Sequence, residues 1–333
     1  MKSKSPTYLD IHSKNKRDHL LLKMQAVAEE IHTKFQGAIR VGSCPCCLAV
    51  ELKPFVVKFG FAMEICEECG HIFTNPFPSL EALNYYYNSE FKDFENEFFA
   101  ETFDNRVPIF ERRLELIKAL DVGVRLLDVG SAVGIFIEAN ERAGRAFDIT
   151  ACDISASACA LLSARFPELQ VVNADVSTLA SEEYDVVTLW DTFEHVPNPD
   201  RVLTAVRRQL RPQGHFIFST PNTRGFEWEV MWKDHVQLLP PGHVNLYNTK
   251  NISIVLQRNG FEVVDIKTMN PLLDLTYIKD ALEKLGEPSD LGSRAARKLM
   301  ELVLSERTWA AVESEMRSSL MAGNMVVIAR AYE

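Results

Sequence analysis

Five of the seven cysteines in the chain fall within 26 residues, as Cys44-Pro45-Cys46-Cys47 and Cys66-Glu67-Glu68-Cys69. Two Cys-x-x-Cys pairs separated by 18 residues have the spacing of a four-thiolate zinc ribbon. Cys44, Cys47, Cys66 and Cys69 are expected to close the tetrahedron, with Gly70 supplying the positive φ that such a turn favours. A closed four-sulfur site leaves no position for water or substrate, so the expected Zn2+ stabilises a small domain and activates nothing. Cys46 and His71 are the adjacent alternative ligands; with four thiolates in place, His71 is expected to face solvent or bond the backbone. Cys152 and Cys159 lie in apolar surroundings and read as core.

A second set of chemically able residues recurs at the ends of apolar runs. Leu126-Leu127-Asp128-Val129 leads into Gly130-Ser131-Ala132-Val133-Gly134. In such a strand-to-helix turn glycine lets a ligand approach the backbone, and the helix start offers free N–H groups to an anion. The next run ends at Asp153, where a carboxylate can accept hydrogen bonds from two ribose hydroxyls. The third is followed by Ala174-Asp175-Val176, suited to an adenine amino group, and the fourth closes on Trp190-Asp191-Thr192-Phe193-Glu194-His195. A nicotinamide dinucleotide fingerprint would need glycine where Ala132 and Ile135 stand, which argues against a dehydrogenase.

Strands must carry these ends. Strand-like runs are expected at 125–129, 147–153, 170–173, 184–190, 214–220, 261–266 and 324–329, with helices to about 143 and over 156–165, 200–210 and 249–259. The alternation predicts an α/β fold, a Rossmann-like, mostly parallel seven-stranded sheet with helices on both faces and the ligand beyond the C-terminal strand ends. Upstream, the spacing of Leu20, Leu21, Met24, Val27, Ile31 and Phe35 predicts an amphipathic helix within residues 7–36, and residues 78–117 read as aromatic, acidic and helical. The expected organisation is an N-terminal helical segment (1–40), a zinc ribbon (41–77), a helical linker or lid (78–117) and a main domain (118–333) carrying a helical insertion at about 270–320.

At 333 residues and 47% hydrophobic content the chain can bury a sizeable core. Its net charge of −10 opposes binding to a long polyanion, and the longest basic cluster, Lys14-Asn15-Lys16-Arg17, is small. No stretch approaches the roughly 18 apolar residues of a membrane span, and Met1-Lys2-Ser3-Lys4-Ser5-Pro6 lacks the apolar core of a signal peptide. A cytoplasmic location is expected.

Taken together, Leu127-Asp128-Val129-Gly130 with Gly134, Asp153-Ile154-Ser155, Asp175, Glu194-His195-Val196, Gly242-His243-Val244-Asn245-Leu246-Tyr247 and Asn259-Gly260-Phe261 resemble the class I S-adenosylmethionine-dependent methyltransferases over about residues 108–333. The resemblance is to the small-molecule and quinone-type members in particular. It implies S-adenosylmethionine as cofactor, held by Asp128, Gly130, Ser131, Gly134, Asp153, Ile154, Asp175, Val176, Trp190 and Asp191. It also implies a small-molecule acceptor beside His195, Glu194 and His243, of which His195 or Glu194 is the expected base and His243 either faces the acceptor or ties down the Pro240-Pro241-Gly242 turn. Trp228 and Trp232 are candidates for an acceptor wall, and one or two of Tyr85, Tyr86 and Tyr87 for a cover over the cofactor. With its ribbon the chain looks like a bacterial group that modifies sugars, surface-polysaccharide precursors and natural products. The competing expectation, a ribbon-guided enzyme acting on RNA or protein, is opposed by the acidity and by the lack of interleaved basic and aromatic residues in 41–75.

Overall fold

The computed structural model describes residues 14–35, 37–269, 291–303 and 305–332. Helix α1 (Lys14–Lys34) comes first, and the expected extension over residues 7–13 and 36 lies outside the described residues. Its apolar face, Met24, Val27, Ala28 and Ile31, packs against Phe61, Ala82, Tyr86 and Phe91, a partner that periodicity in α1 could not name.

Strands β1 (Leu52–Lys58), β2 (Phe61–Cys66) and β3 (Ile72–Thr74) form an antiparallel meander around the cysteines. Helices α2 (Leu80–Tyr87), α3 (Glu90–Glu101) and α4 (Phe103–Lys118) follow. Ser79 starts α2 by accepting a hydrogen bond from the amide of Ala82, the ordinary way a serine satisfies a first-turn N–H.

The main sheet is built from β4 (Arg125–Val129), α5 (Ile135–Arg142), β5 (Asp148–Asp153), α6 (Ala156–Arg165), β6 (Gln170–Asn173), β7 (Tyr184–Trp190), α7 (Pro199–Gln209) and β8 (Leu210–Pro221). Caps set the helix starts: Ser155 accepts from Ala158 N, and Asn198 accepts from Arg201 N with Pro199 at the first helical position. The short helix α8 (Phe226–Met231), β9 (Asn245–Leu246), α9 (Asn251–Arg258), β10 (Phe261–Met269), α10 (Leu291–Val303), α11 (Glu306–Ser318) and β11 (Asn324–Ala331) complete the chain. The strand order is β10-β11-β8-β7-β4-β5-β6, parallel from β8 to β6, with β11 antiparallel to both of its neighbours. All seven expected strands are present. Every residue of the central β7 is buried, because helices cover both faces there.

Residues 270–290 of the expected insertion lie outside the described residues, and α10 and α11 occupy its remainder. The meander also has a fourth strand from far away: β9 pairs with β3, setting Ile72 opposite Leu246 and Phe73 opposite Asn245. Residues 245–246 therefore join the cysteine-bearing sheet to the main domain. Two residues carry no strand periodicity, so this pairing has no local signature.

Candidate active site

The C-terminal ends of the parallel strands open onto a cavity of about 620 Å³, within the ordinary range for a small-molecule site. Leu20 and Met24 of α1, Leu83 of α2 and Phe99 of α3 wall it on the side facing away from the sheet. The turn after β4 lies against it. Gly130 has φ +76°, and a Cβ there would stand 2.5 Å from Thr192 Oγ1, so only glycine fits. Ala132 takes the left-handed φ of 47° that glycine adopts more cheaply, and its amide donates to Asp153 Oδ2 at 2.9 Å.

Asp153 also accepts from the amide of Ser155 through Oδ1 at 2.8 Å. Each carboxylate oxygen keeps a further lone pair for a ligand hydroxyl. Burial pushes this carboxyl above its usual range, so any donor that pairs with it offsets a desolvation cost.

The remaining cofactor candidates divide. Asp128 is buried, accepts from Thr188 Oγ1 at 2.7 Å, and is pushed up to about 6 by burial; Ser131 Oγ donates to its carbonyl at 2.8 Å. Ile154 and Val176 contribute apolar wall, and Asp175 faces the cavity while capping Ser177 N and meeting Arg201 at 3.2 Å. Trp190 lines the cavity and packs on Phe136, its indole N–H buried without a partner. Asp191 also lines it, but its carboxylate is engaged by Arg113 (2.9 Å), Ser219 (2.8 Å) and Asn324 (3.0 Å). Burial opposes ionisation of Asp191, yet those partners outweigh it and hold the group below the usual carboxylate range. Gly134 does not line the cavity: a Cβ on it would meet Leu162 and Phe166, so it serves the packing of α5 on α6.

The same cavity is lined by Glu194, His195 and His243, with one ligating atom of each within 4.8 Å of the others. His195 Nδ1 lies 2.9 Å from the carbonyl of Gly242, and His243 Nδ1 lies 2.9 Å from the carbonyl of Gln237. His243 thus ties down the 237–243 turn and faces the cavity as well. Burial, then the neighbouring ring, holds His195 well below the usual imidazole range, and burial takes His243 down to about 4. Burial and the charge of Asp191 push Glu194 up to about 8, and its Oε2 is buried without a partner. At neutral pH both rings are therefore held in the neutral form, and burial favours the protonated form of Glu194.

Residues 78–117 supply site residues that periodicity did not single out. Tyr87 lines the cavity and meets His195 edge-on, whereas Tyr86 is buried beside Met24 and Tyr85 turns outward to Glu30 and Lys34. Lys92, paired with Glu95, stands on the same wall. Arg106 also faces the cavity, held by Thr102 Oγ1 at 2.9 Å, and its Nη2 is buried with no hydrogen-bond partner. Such an orphaned guanidinium N–H is suited to a carboxylate. Arg106 is one of three arginines in residues 78–117, and no local pattern set it apart. The tryptophan expectation fails: Trp228 is fully buried among Phe55, Met63, Ile72, Leu238 and Leu246, and Trp232 packs edge-on against Phe55 at the surface. Both belong to the contact between the small sheet and the main domain.

Away from the cavity, the Sγ atoms of Cys44, Cys47, Cys66 and Cys69 lie within 4.8 Å of one another, with Cys44 to Cys69 at 3.7 Å and Cys47 to Cys66 at 3.6 Å. A tetrahedron with Zn–S of about 2.3 Å has edges of about 3.8 Å, so the four sulfurs fit that ion. Cys46 stands outside the set and donates to the carbonyl of Asn251 at 3.1 Å. His71 is also outside it and does not face solvent: it is buried beside the backbone of Leu246, with Nε2 2.9 Å from Asn245 Oδ1. Asn245 lies on β9, a partner the local sequence around His71 does not contain.

A sequence profile described as a methyltransferase domain matches residues 99–266, half of the chain. A protein named ubiquinone biosynthesis O-methyltransferase from Acinetobacter baylyi is 31% identical over 131 residues, covering 36% of this chain and 54% of that protein. The protein of the same name from Paracidovorax citrulli is 29% identical over 164 residues, covering 45% and 69% respectively. The chain therefore spans about half to two thirds of the length of these relatives. A solved S-adenosylmethionine-dependent methyltransferase from Archaeoglobus fulgidus is 18% identical, covers 70% of this chain and 97% of its own, and superposes with a TM-score of 0.46. With half its length matched by the methyltransferase-domain profile, over the strands that build the cavity, the chain belongs to the class I S-adenosylmethionine-dependent methyltransferase family.

Proposed function

We propose that the chain transfers a methyl group from S-adenosylmethionine to a small molecule bound in the 620 Å³ cavity. The observation that carries this is one cavity lined by two sets of residues, Gly130 and Asp153 on the one hand and the neutral pair His195 and His243 on the other. The first set, with Arg106, suits the cofactor: Gly130 permits close approach, Asp153 has lone pairs for ribose hydroxyls, and the orphaned Arg106 N–H suits the methionine carboxylate. The bound cofactor supplies an already activated methyl group. What remains for the protein is to align the acceptor, keep water out and take up a proton. His195 is the residue we assign to the proton, through the ring nitrogen that Gly242 does not engage.

For the acceptor, the group of sugar, surface-polysaccharide and natural-product precursors remains our choice. Within this assignment residues 41–77 form a module stabilised by Zn2+ on Cys44, Cys47, Cys66 and Cys69, residues 78–117 close the cavity, and residues 118–333 are the transferase domain. No described helix is long and apolar enough to cross a membrane. The free thiols support a reducing cytoplasmic setting.

Incubation of the purified protein with methyl-labelled S-adenosylmethionine and a cell extract tests the proposal. Label should appear in a low-molecular-mass product heavier than its precursor by one labelled methyl group in place of a hydrogen. Label confined to RNA or protein would overturn the small-molecule assignment, and no transfer together with no cofactor binding would overturn the activity. Elemental analysis should find one zinc per chain.

A further inference from the structure

The two cavity histidines are fixed in the same, less common tautomer. A carbonyl oxygen can only accept, so the bonds of 2.9 Å to Gly242 O and to Gln237 O place the ring hydrogen on Nδ1 in both His195 and His243. Each Nε2 is then a bare lone pair. The rings stand edge to face with centroids 4.8 Å apart, both border the cavity, and no described residue donates to either Nε2. Neither ring can satisfy the other, because each offers an acceptor and no donor. Burial favours the neutral form of both, so in the resting site neither carries a second hydrogen at ordinary pH. The clamps share one short segment: residues 237–243 supply both carbonyls, and the amide of Val244 donates to the carbonyl of Glu194 at 3.0 Å, binding that segment to the turn that bears His195.

From this geometry we infer that the site selects acceptors carrying two hydrogen-bond donors on neighbouring atoms, foremost vicinal diols, with one donor for each bare Nε2. The inference rests on the methyl-transfer assignment only for the fate of the bound molecule; the binding preference follows from the two imidazoles. A single hydroxyl donates once and leaves the other nitrogen without a donor from the ligand that fills the cavity, which is disfavoured. His195 takes the proton of the oxygen that is methylated, and His243 holds the neighbouring donor. The monomethylated product has lost one donor, so it binds less tightly than the acceptor and leaves without a second methylation.

The test uses the full-length protein saturated with S-adenosylhomocysteine, without added divalent cation. Calorimetry with catechol, a methyl pentopyranoside bearing a cis-diol, and glycerol is set against the monomethyl ether of each. At least one diol should bind about tenfold or more tightly than its ether. In His243→Asn the shorter amide can still donate to Gln237 O but lacks Nε2; there the preference should shrink to about twofold, with S-adenosylhomocysteine affinity and melting temperature retained. Nitrogen-15 spectra of the histidine rings should show both as Nδ1–H forms. No diol preference anywhere in the set, a preference that appears only when Mg2+ or Zn2+ is added, or an Nε2–H on either ring would each overturn the inference. If wild-type protein keeps the diol preference but does not bind S-adenosylhomocysteine, the methyl-transfer assignment falls and the two-acceptor site stands.

Discussion

Asp153 is the residue on which cofactor affinity should turn. Both of its oxygens are already oriented by the amides of Ala132 and Ser155, so under the proposed function ribose hydroxyls would meet a carboxylate that has little freedom left to lose. Asp153→Ala removes a charged acceptor for which the typical cost is roughly 1.5–3 kcal/mol, about a 10- to 150-fold loss of affinity. Calorimetry with S-adenosylhomocysteine measures it, and an unchanged dissociation constant would refute the ribose role. His195 separates differently. His195→Gln should leave cofactor affinity nearly intact and lower turnover by about a hundredfold or more, the usual effect of losing a general base. Normal turnover would show that catalysis rests on alignment alone. Asp153, Glu194 and His195 were legible because each follows a recognisable strand. Arg106 and Tyr87 were not, because they reach the cavity from helices whose packing depends on α1 and the small sheet.

Among the elements, β9 does the most with the fewest residues. Its two residues close the small sheet on β3, and the segment just before it carries His243 into the cavity. Asn245 is the hub: its side chain meets buried His71 Nε2 at 2.9 Å on one side and donates to the carbonyl of Val196, just past the Glu194-His195 turn, on the other. Asn245→Ala should leave His71 unpaired, at about 1–3 kcal/mol, and lower the melting temperature by several degrees without removing zinc from the four cysteines. An unaltered melting curve would mean that the strand pairing alone holds the two sheets together. The strands of the main sheet were readable from local periodicity, since each buries a continuous apolar run such as Tyr184–Trp190. The β3–β9 contact was not, because a pairing between residues about 170 apart is set by the folded main domain and leaves no local pattern.

At the scale of the whole molecule, stability should depend on pH through a group far from the chemistry. Glu227 is fully buried behind the end of β8, no described side chain pairs with its carboxyl, and burial, only partly offset by the nearby backbone amides of Glu227 and Gly323, pushes it up to about 8. A carboxyl raised in the folded state contributes its full stability below its unfolded value, near 4.5, and that contribution is lost as pH rises towards 8. Glu227→Gln keeps the shape and carries no charge. The variant should gain on the wild type as pH rises from about 5 to 8, by on the order of a few kcal/mol, read as diverging denaturant midpoints. Parallel curves would show that Glu227 ionises in place. The division of labour between the sheets also has a consequence for the order of synthesis. The edge of β3 must wait for β9, which leaves the ribosome roughly 170 residues later, some 10–30 s at ordinary bacterial elongation rates. During that interval the four sulfurs are carried by a sheet with an open edge, so a nascent chain starved of zinc would be most exposed to oxidation before its transferase domain exists to shield it.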